Sequence, residues 1–111
     1  MRVMFDTMDA YDRRDFERLA ELYAEDVRWL GSEPGRWDCH NRDDVFAMFR
    51  ARMDAGVHVA FDEMRSTAHQ VILTSHVGDS HPIVSVFDVE GGRIVHVQDY
   101  PSVEPAEGAL T

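Results

Sequence analysis

The chain contains no lysine; all 11 of its basic residues are arginines. Chemistry that needs a side-chain amine, such as a Schiff base to a carbonyl substrate or to pyridoxal phosphate, is excluded. Cysteine is nearly absent too. With Cys39 alone, no internal disulfide and no cysteine-built zinc site can form. Positive charge is scarce: 21 acidic residues face 11 basic ones, for a formal charge of −10. That field repels nucleic acid and anionic bilayers, so neither is an expected partner. No run of about 18 apolar residues is present to span a membrane. Met1 to Asp12 lacks the basic start and apolar stretch of a secretory signal. A reducing cytoplasm is the expected location.

What is present fits one domain, since 111 residues at 44% hydrophobic content can bury a continuous core. Met4, Met8 and Tyr11 recur at helical spacing, and Asp15 is placed to cap a second helix carrying Phe16, Leu19, Ala20 and Tyr23. That helix is predicted to end near Glu25-Asp26, with Val27 to Leu30 a short strand. Gly31 to His40 reads as a loop, with an extended piece around Trp37. Asn41 or Asp43 can cap a third helix that buries Phe46, Phe49 and Met53 and stops at Gly56. The hydrophobic period then changes to 2. Strands are predicted around Val57 to Phe61, over Gln70 to Val77, over Ile83 to Val89 and over Arg93 to Tyr100, the last two joined at Gly91-Gly92. Short connections favour consecutive antiparallel pairing. The predicted class is α+β: three N-terminal helices packed in a strongly curved, mostly antiparallel sheet, a cone-shaped half-barrel with an internal pocket. Residues 1–101 form this domain and 102–111 read as a loose tail.

Two segments carry a family resemblance: Tyr11-Asp12-Arg13-Arg14-Asp15-Phe16, and Leu22-Tyr23-Ala24-Glu25-Asp26-Val27-Arg28-Trp29. Together they resemble the opening of the nuclear-transport-factor-2-like superfamily, especially its SnoaL-like branch. Asn41 to Val45 is similar to the branch's third-helix start, and Phe87 to Tyr100 to its closing hairpin. The front end is shorter than the family's, which implies a truncated first helix and a more open pocket mouth. The superfamily includes isomerases, epoxide hydrolases, cyclases, dehydratases and plain binding proteins, so the resemblance bears on fold more than on activity.

Laid on the ketosteroid isomerases of that superfamily, the base falls on Gly31, the oxyanion-binding tyrosine on Thr7 and the protonated acid on Ser85. Glycine abstracts no proton, so that mechanism is not carried over. Laid on limonene-epoxide-hydrolase-like members, one aspartate matches Asp99. The arginine falls on His76, the second aspartate on Gly78 beside Asp79, and the tyrosine and asparagine on Trp29 and Gly31. SnoaL-like cyclases pair an aspartate with a histidine, and the resemblance makes Asp99 and His76 the candidate acid–base pair. Alternation groups His76 with Thr74 and Ile72, and Asp99 with Val97 and Val95. If both faces line the cavity, desolvation raises the Asp99 pKa and His76 opposes it. The plainer alternatives are an Asp99 held by backbone or by Arg28, and a His76 bonded within the sheet or exposed.

Candidate pocket residues are Trp29, Thr74, Ser85, Phe87, Val97 and Tyr11, with Trp37, Phe61 and Tyr23 as further aromatics that could be plain core. Cys39-His40 is a weak nucleophile candidate, because adjacent side chains rarely face each other. His40, His58, His69, His76, His81 and His96 show no ligand spacing, so no metal is implied. Without a phosphate-cradling glycine loop, no cofactor is implied either. The expected ligand is a small hydrophobic, oxygenated molecule. The expected roles are an acid–base enzyme, a non-catalytic binding protein, or a structural module with a filled pocket. Val71, Leu73, Val84, Val86 and Ile94 exceed what one helix layer covers, so a homodimer through the outer sheet face is expected.

Overall fold

The computed structural model describes residues 2–31, 38–78 and 82–110. Helices α1 (Arg2–Asp12) and α2 (Phe16–Leu22) open the chain, followed by β1 (Tyr23–Leu30) and α3 (Arg42–Asp54). Four strands succeed them, β2 (Val59–Ser66), β3 (Gln70–Val77), β4 (Ile83–Glu90) and β5 (Arg93–Tyr100), and α4 (Val103–Gly108) closes the chain. The α1–α2 break falls at Arg14, in the left-handed region at φ 56°. Asp15 then caps α2 by accepting the Arg18 N–H at 3.1 Å. Asn41, rather than Asp43, caps α3, accepting the Asp44 N–H at 2.8 Å.

One sheet runs in the order β1-β5-β4-β3-β2. Its last four strands pair consecutively and antiparallel, while β1 joins the edge of β5 in parallel. The β1 ladder begins at Tyr23, opposite Ile94, rather than at Val27. Tyr23 is also the extended C-cap of α2, so the helix ends where a β5 edge is available to receive the backbone. Between β4 and β5, Gly91 and Gly92 sit at φ 58° and 76°, the conformation a two-residue hairpin turn requires.

Irregularities in register bend the sheet. One lies between Phe61 and Glu63 of β2, another between Asp88 and Val89 opposite β5. An inserted residue breaks period 2, so Phe61 and Met64 both pack inward, as do Ile94 and Val97. That is why alternation alone stops β2 at Phe61. The concave face receives Met4, Leu19, Tyr23, Val27, Phe46 and Phe49, packed against Val71, Leu73, Phe87, Ile94 and Val97. Trp29 joins the layers, meeting Phe49 edge-on at 5.8 Å and Phe87 at 5.5 Å.

Two expectations change. Residues 102–110, the described part of the expected loose tail, are ordered against the sheet: α4 docks on the outer sheet face, where Ala106, Val103 and Leu110 pack on Ile72, Val84 and Val86. An Arg65–Glu107 ion pair ties it to β2. An apolar stripe on the convex face drives this docking, because four strands leave it bare and the C-terminal segment is the nearest cover. The argument for an outer-face homodimer weakens for the same reason. Val71, Leu73 and Ile94 belong to the inner core, and Val84 and Val86 are already buried within the chain. Trp37, Asp79 and His81 lie outside the described residues.

Ala106 is fully buried, so Ala106→Asp sets a carboxylate against an apolar face. We expect it to lower stability by about 2–4 kcal/mol, measured by urea denaturation. An unchanged midpoint would show that α4 does not stay docked.

Candidate functional site

A cavity of about 50 Å³ lies between the helix layer and the concave sheet. Met4, Thr7, Met8 and Tyr11 reach it from α1, Tyr23 and Trp29 from β1, and Phe49 and Arg52 from α3. The sheet contributes Val59, Phe61, Leu73, Ser75, Ile83, Ser85, Phe87 and Asp99. A buried water needs about 10–15 Å³ of such space, so the hollow takes a few waters or a ligand of a few heavy atoms. A surface hollow of about 250 Å³ shares Tyr11 and Val59 with it.

Asp99 is the centre of the site. Its Cα pairs with that of Ser85 across β4 and β5, which sets the two side chains side by side on the concave face. The Ser85 hydroxyl donates to Asp99 Oδ1 at 2.6 Å, and the Trp29 indole N–H donates to Oδ2 at 3.1 Å. The β1–β5 register, Trp29 opposite Val97, lets the indole reach two residues along β5. Burial pushes the Asp99 carboxyl up from its ordinary range. The Ser85 and Trp29 hydrogen bonds and the Arg52 charge oppose that rise without cancelling it. The carboxylate is therefore oriented by two donors inside apolar walls. Arg28 is not its partner; that guanidinium lies 3.4 Å from His40 Nδ1.

His76 is elsewhere. On β3 the concave face carries Val71, Leu73 and Ser75, which puts Ile72, Thr74 and His76 on the convex side. There His76 pairs with Asp62 of β2. The proposed Asp99–His76 couple is thus overturned by alternation itself: the two residues lie on opposite faces of one sheet. Thr74 leaves the site for the same reason. Val97 is on the concave side but fully buried in the core beneath the cavity lining. Val95, grouped with Asp99 by alternation, falls at the β4–β5 irregularity and borders a surface hollow with His69 and Asp88. Trp29, Ser85, Phe87 and Tyr11 line the cavity with Asp99, as do the aromatics Phe61 and Tyr23.

Positions named by resemblance sort similarly. Thr7 borders the cavity, but its hydroxyl donates to the Val3 carbonyl at 2.7 Å. The Gly31 N–H is taken by Asp38 at 3.0 Å. Cys39 is buried, its backbone bridging to Trp29, whereas His40 is exposed. Burial pushes the Cys39 thiol up, away from the thiolate a nucleophile needs. Among the described residues, no three His, Cys, Asp or Glu side chains converge as a metal site, and no helix is long and apolar enough to cross a membrane.

Two features escaped sequence reasoning. Arg52, one turn beyond Phe49 on α3, puts a guanidinium in the cavity wall; its i+3 spacing from Phe49 was the available signal. The Tyr11 hydroxyl is buried with no hydrogen-bond partner among the described residues. Its ring is held edge-on to Phe49 at 5.0 Å. Nothing in a sequence distinguishes a satisfied tyrosine from an unsatisfied one.

Ser85→Ala removes a hydrogen bond that favours the ionised carboxylate, so Asp99 should titrate at higher pH than in the parent. Carboxyl carbon NMR measures this, and an unmoved titration would contradict the assigned bond. The folded state also holds the Asp99 proton more tightly than the unfolded chain does. The stability Asp99 contributes is thus greatest below its ordinary value of 3.8 and falls as pH rises through the folded-state pKa. Asp99→Asn lacks the group, so its stability relative to wild type should rise across that window, read by urea denaturation at stepped pH.

Comparison with known proteins agrees with this fold. A candidate polyketide cyclase from Sinorhizobium meliloti superposes with a TM-score of 0.73 at 16% identity, covering 89% of this chain and 94% of that one. An NTF2-like protein of unknown function from Burkholderia pseudomallei gives 0.70 at 26% identity, over 97% and 92%. An LEH-like epoxide hydrolase from M. tuberculosis gives 0.66 at 19% identity, over 89% and 79%. No protein of curated function matches the sequence. The family of SnoaL-like domains matches residues 5–97; with its curved sheet and helix-covered cavity, this chain belongs to that family.

Proposed function

We propose that this protein binds a small, apolar, oxygenated molecule in the concave cavity and acts on it by acid–base chemistry, with Asp99 as the working group. The observation that carries this reading is a desolvated carboxyl held by Ser85 and Trp29 within a hollow bounded by Phe61, Leu73 and Phe87. Raising a carboxyl pKa towards neutrality improves it as a group that both takes and returns a proton. Ser85 and Trp29 act as positioning residues, since each aims one carboxylate oxygen.

Among the described lining residues there is no histidine and no second carboxyl. A single carboxyl suits reactions in which the proton taken from one substrate atom is returned to another, as in isomerisation, cyclisation or dehydration. A hydrolase would also have to place a water, and the positions matched by resemblance for that task are Trp29, whose indole N–H donates to Asp99, and Gly31, which has no side chain and whose N–H donates to Asp38. The fold shared with a candidate polyketide cyclase and an epoxide hydrolase sets the first compounds to screen. A second reading, a non-catalytic binding protein, draws on the mainly apolar lining. A homodimer through the outer face would have to form around α4 or displace it.

Turnover of small polyketide-like carbonyl compounds and small epoxides, followed by NMR, tests the reading. Asp99→Asn should lower any turnover found by about 100-fold or more, while His76→Ala leaves it unchanged. Turnover that survives Asp99→Asn would remove Asp99 from the chemistry. Ligand binding without turnover of any compound would favour the binding protein.

A further inference from the structure

Arg52 and Tyr11 bring polar groups into an otherwise mainly apolar cavity wall, where the Arg52 charge also acts on Asp99. A buried hydroxyl left without a partner costs roughly 1–3 kcal/mol of desolvation, and such groups are rare in native proteins. Among the described residues the Tyr11 hydroxyl is one. A phenylalanine would keep the edge-on contact with Phe49 without that cost. Arg52 makes no ion pair or side-chain hydrogen bond among the described residues, although the chain holds 21 acidic residues. It is also the only cation among the cavity's described lining residues.

The two groups lie near one end of the cavity. Tyr11 is in the last turn of α1 and Arg52 in the last turn of α3. The sheet residues at the same end are Val59 at the start of β2, Ser75 near the end of β3 and Ile83 at the start of β4, with Ser75 and Ile83 paired. Tyr11 and Val59 also border the adjoining surface hollow. A guanidinium and a neutral hydroxyl are both donors, and together they fit an anionic oxygen better than any other group.

We propose that Arg52 and Tyr11 receive the carboxylate of a small monocarboxylate ligand, whose short apolar body extends towards Phe61, Leu73 and Phe87. This inference rests on the reading of the cavity as the ligand site, and it names the ligand class. The ligand's apolar body then lies where Asp99 can reach it, since Ser85 and Asp99 follow Ser75 and Ile83 at the same end of the sheet, and the Arg52 charge acts on both carboxyl groups. The net charge of −10 repels anions at long range, so selection for a carboxylate depends on Arg52, the one cation among the cavity's described lining residues. A cavity of about 50 Å³ restricts the ligand to a few heavy atoms.

Butyrate and butyramide test the assignment, because they match in size and differ in charge. Titrated into the full chain and followed by NMR on the Tyr11 and Arg52 side chains, butyrate should bind about tenfold or more tighter than butyramide. Arg52→Gln should abolish that preference and Arg52→Lys should keep part of it. Tyr11→Phe should weaken butyrate several-fold. Both Arg52 variants alter a half-exposed side chain, and retention of the wild-type amide spectrum checks their fold. Equal affinities, a preference that survives Arg52→Gln, or no binding of either probe overturns the proposal. Asp99-dependent turnover without a carboxylate preference sinks the ligand class and leaves the acid–base reading standing. A carboxylate preference without Asp99-dependent turnover supports the ligand class and makes the protein a carboxylate binder.

Discussion

Curvature of the sheet is the constraint on which the rest of this molecule depends. Five strands laid flat would offer the helices a plane, and packing would close the interface. Inserted residues in β2 and at the β4–β5 pairing bend and twist the ladder instead. The concave side then holds α1, α2 and α3, yet keeps a hollow at one end. The convex side is left with an apolar stripe of Ile72, Val84 and Val86, which α4 covers. One geometric cause thus accounts for both the cavity and the docked C-terminal helix.

The same bending decides the electrostatics of the site. Asp99 sits directly across from Ser85, so its carboxylate acquires a donor from the neighbouring strand and another from Trp29 at the sheet edge. Burial acts against ionisation while the donors and Arg52 act for it, and burial prevails. In water the same group would be an ordinary aspartate. On the convex face, Asp62 with His76 and Asp88 with His96 form partly exposed pairs. Chemically similar residues separate into one desolvated carboxyl and two surface pairs solely by the side of the sheet they occupy.

Much of the architecture was legible in the residues. Helical spacing in Met4, Met8 and Tyr11, the caps Asp15 and Asn41, and the Gly91-Gly92 turn are local features, and local physics determines them. The order of β2 to β5 followed from short connections. The parallel seat of β1 was not legible, because nothing within Tyr23 to Leu30 specifies which edge it joins. The role of residues 102–111 was missed because α4 is only six residues long, too short to declare itself by periodicity, and is held by burial of Ala106 rather than by its own propensity.

For the site, the sequence by itself determined the chemical inventory: no lysine, one cysteine, an aspartate near the end of the last strand, and aromatics to wall a pocket. It also determined that Asp99 and Val97 share a face and that His76 and Thr74 share one. Which of those faces turns inward was decided only by the tertiary structure, because period 2 is symmetric between the sides of a strand and an inserted residue exchanges them. The tertiary structure alone brought Arg52 to the cavity and left the Tyr11 hydroxyl without a partner among the described residues. Both facts depend on how helices distant in sequence meet over one curved sheet, and no local pattern encodes that.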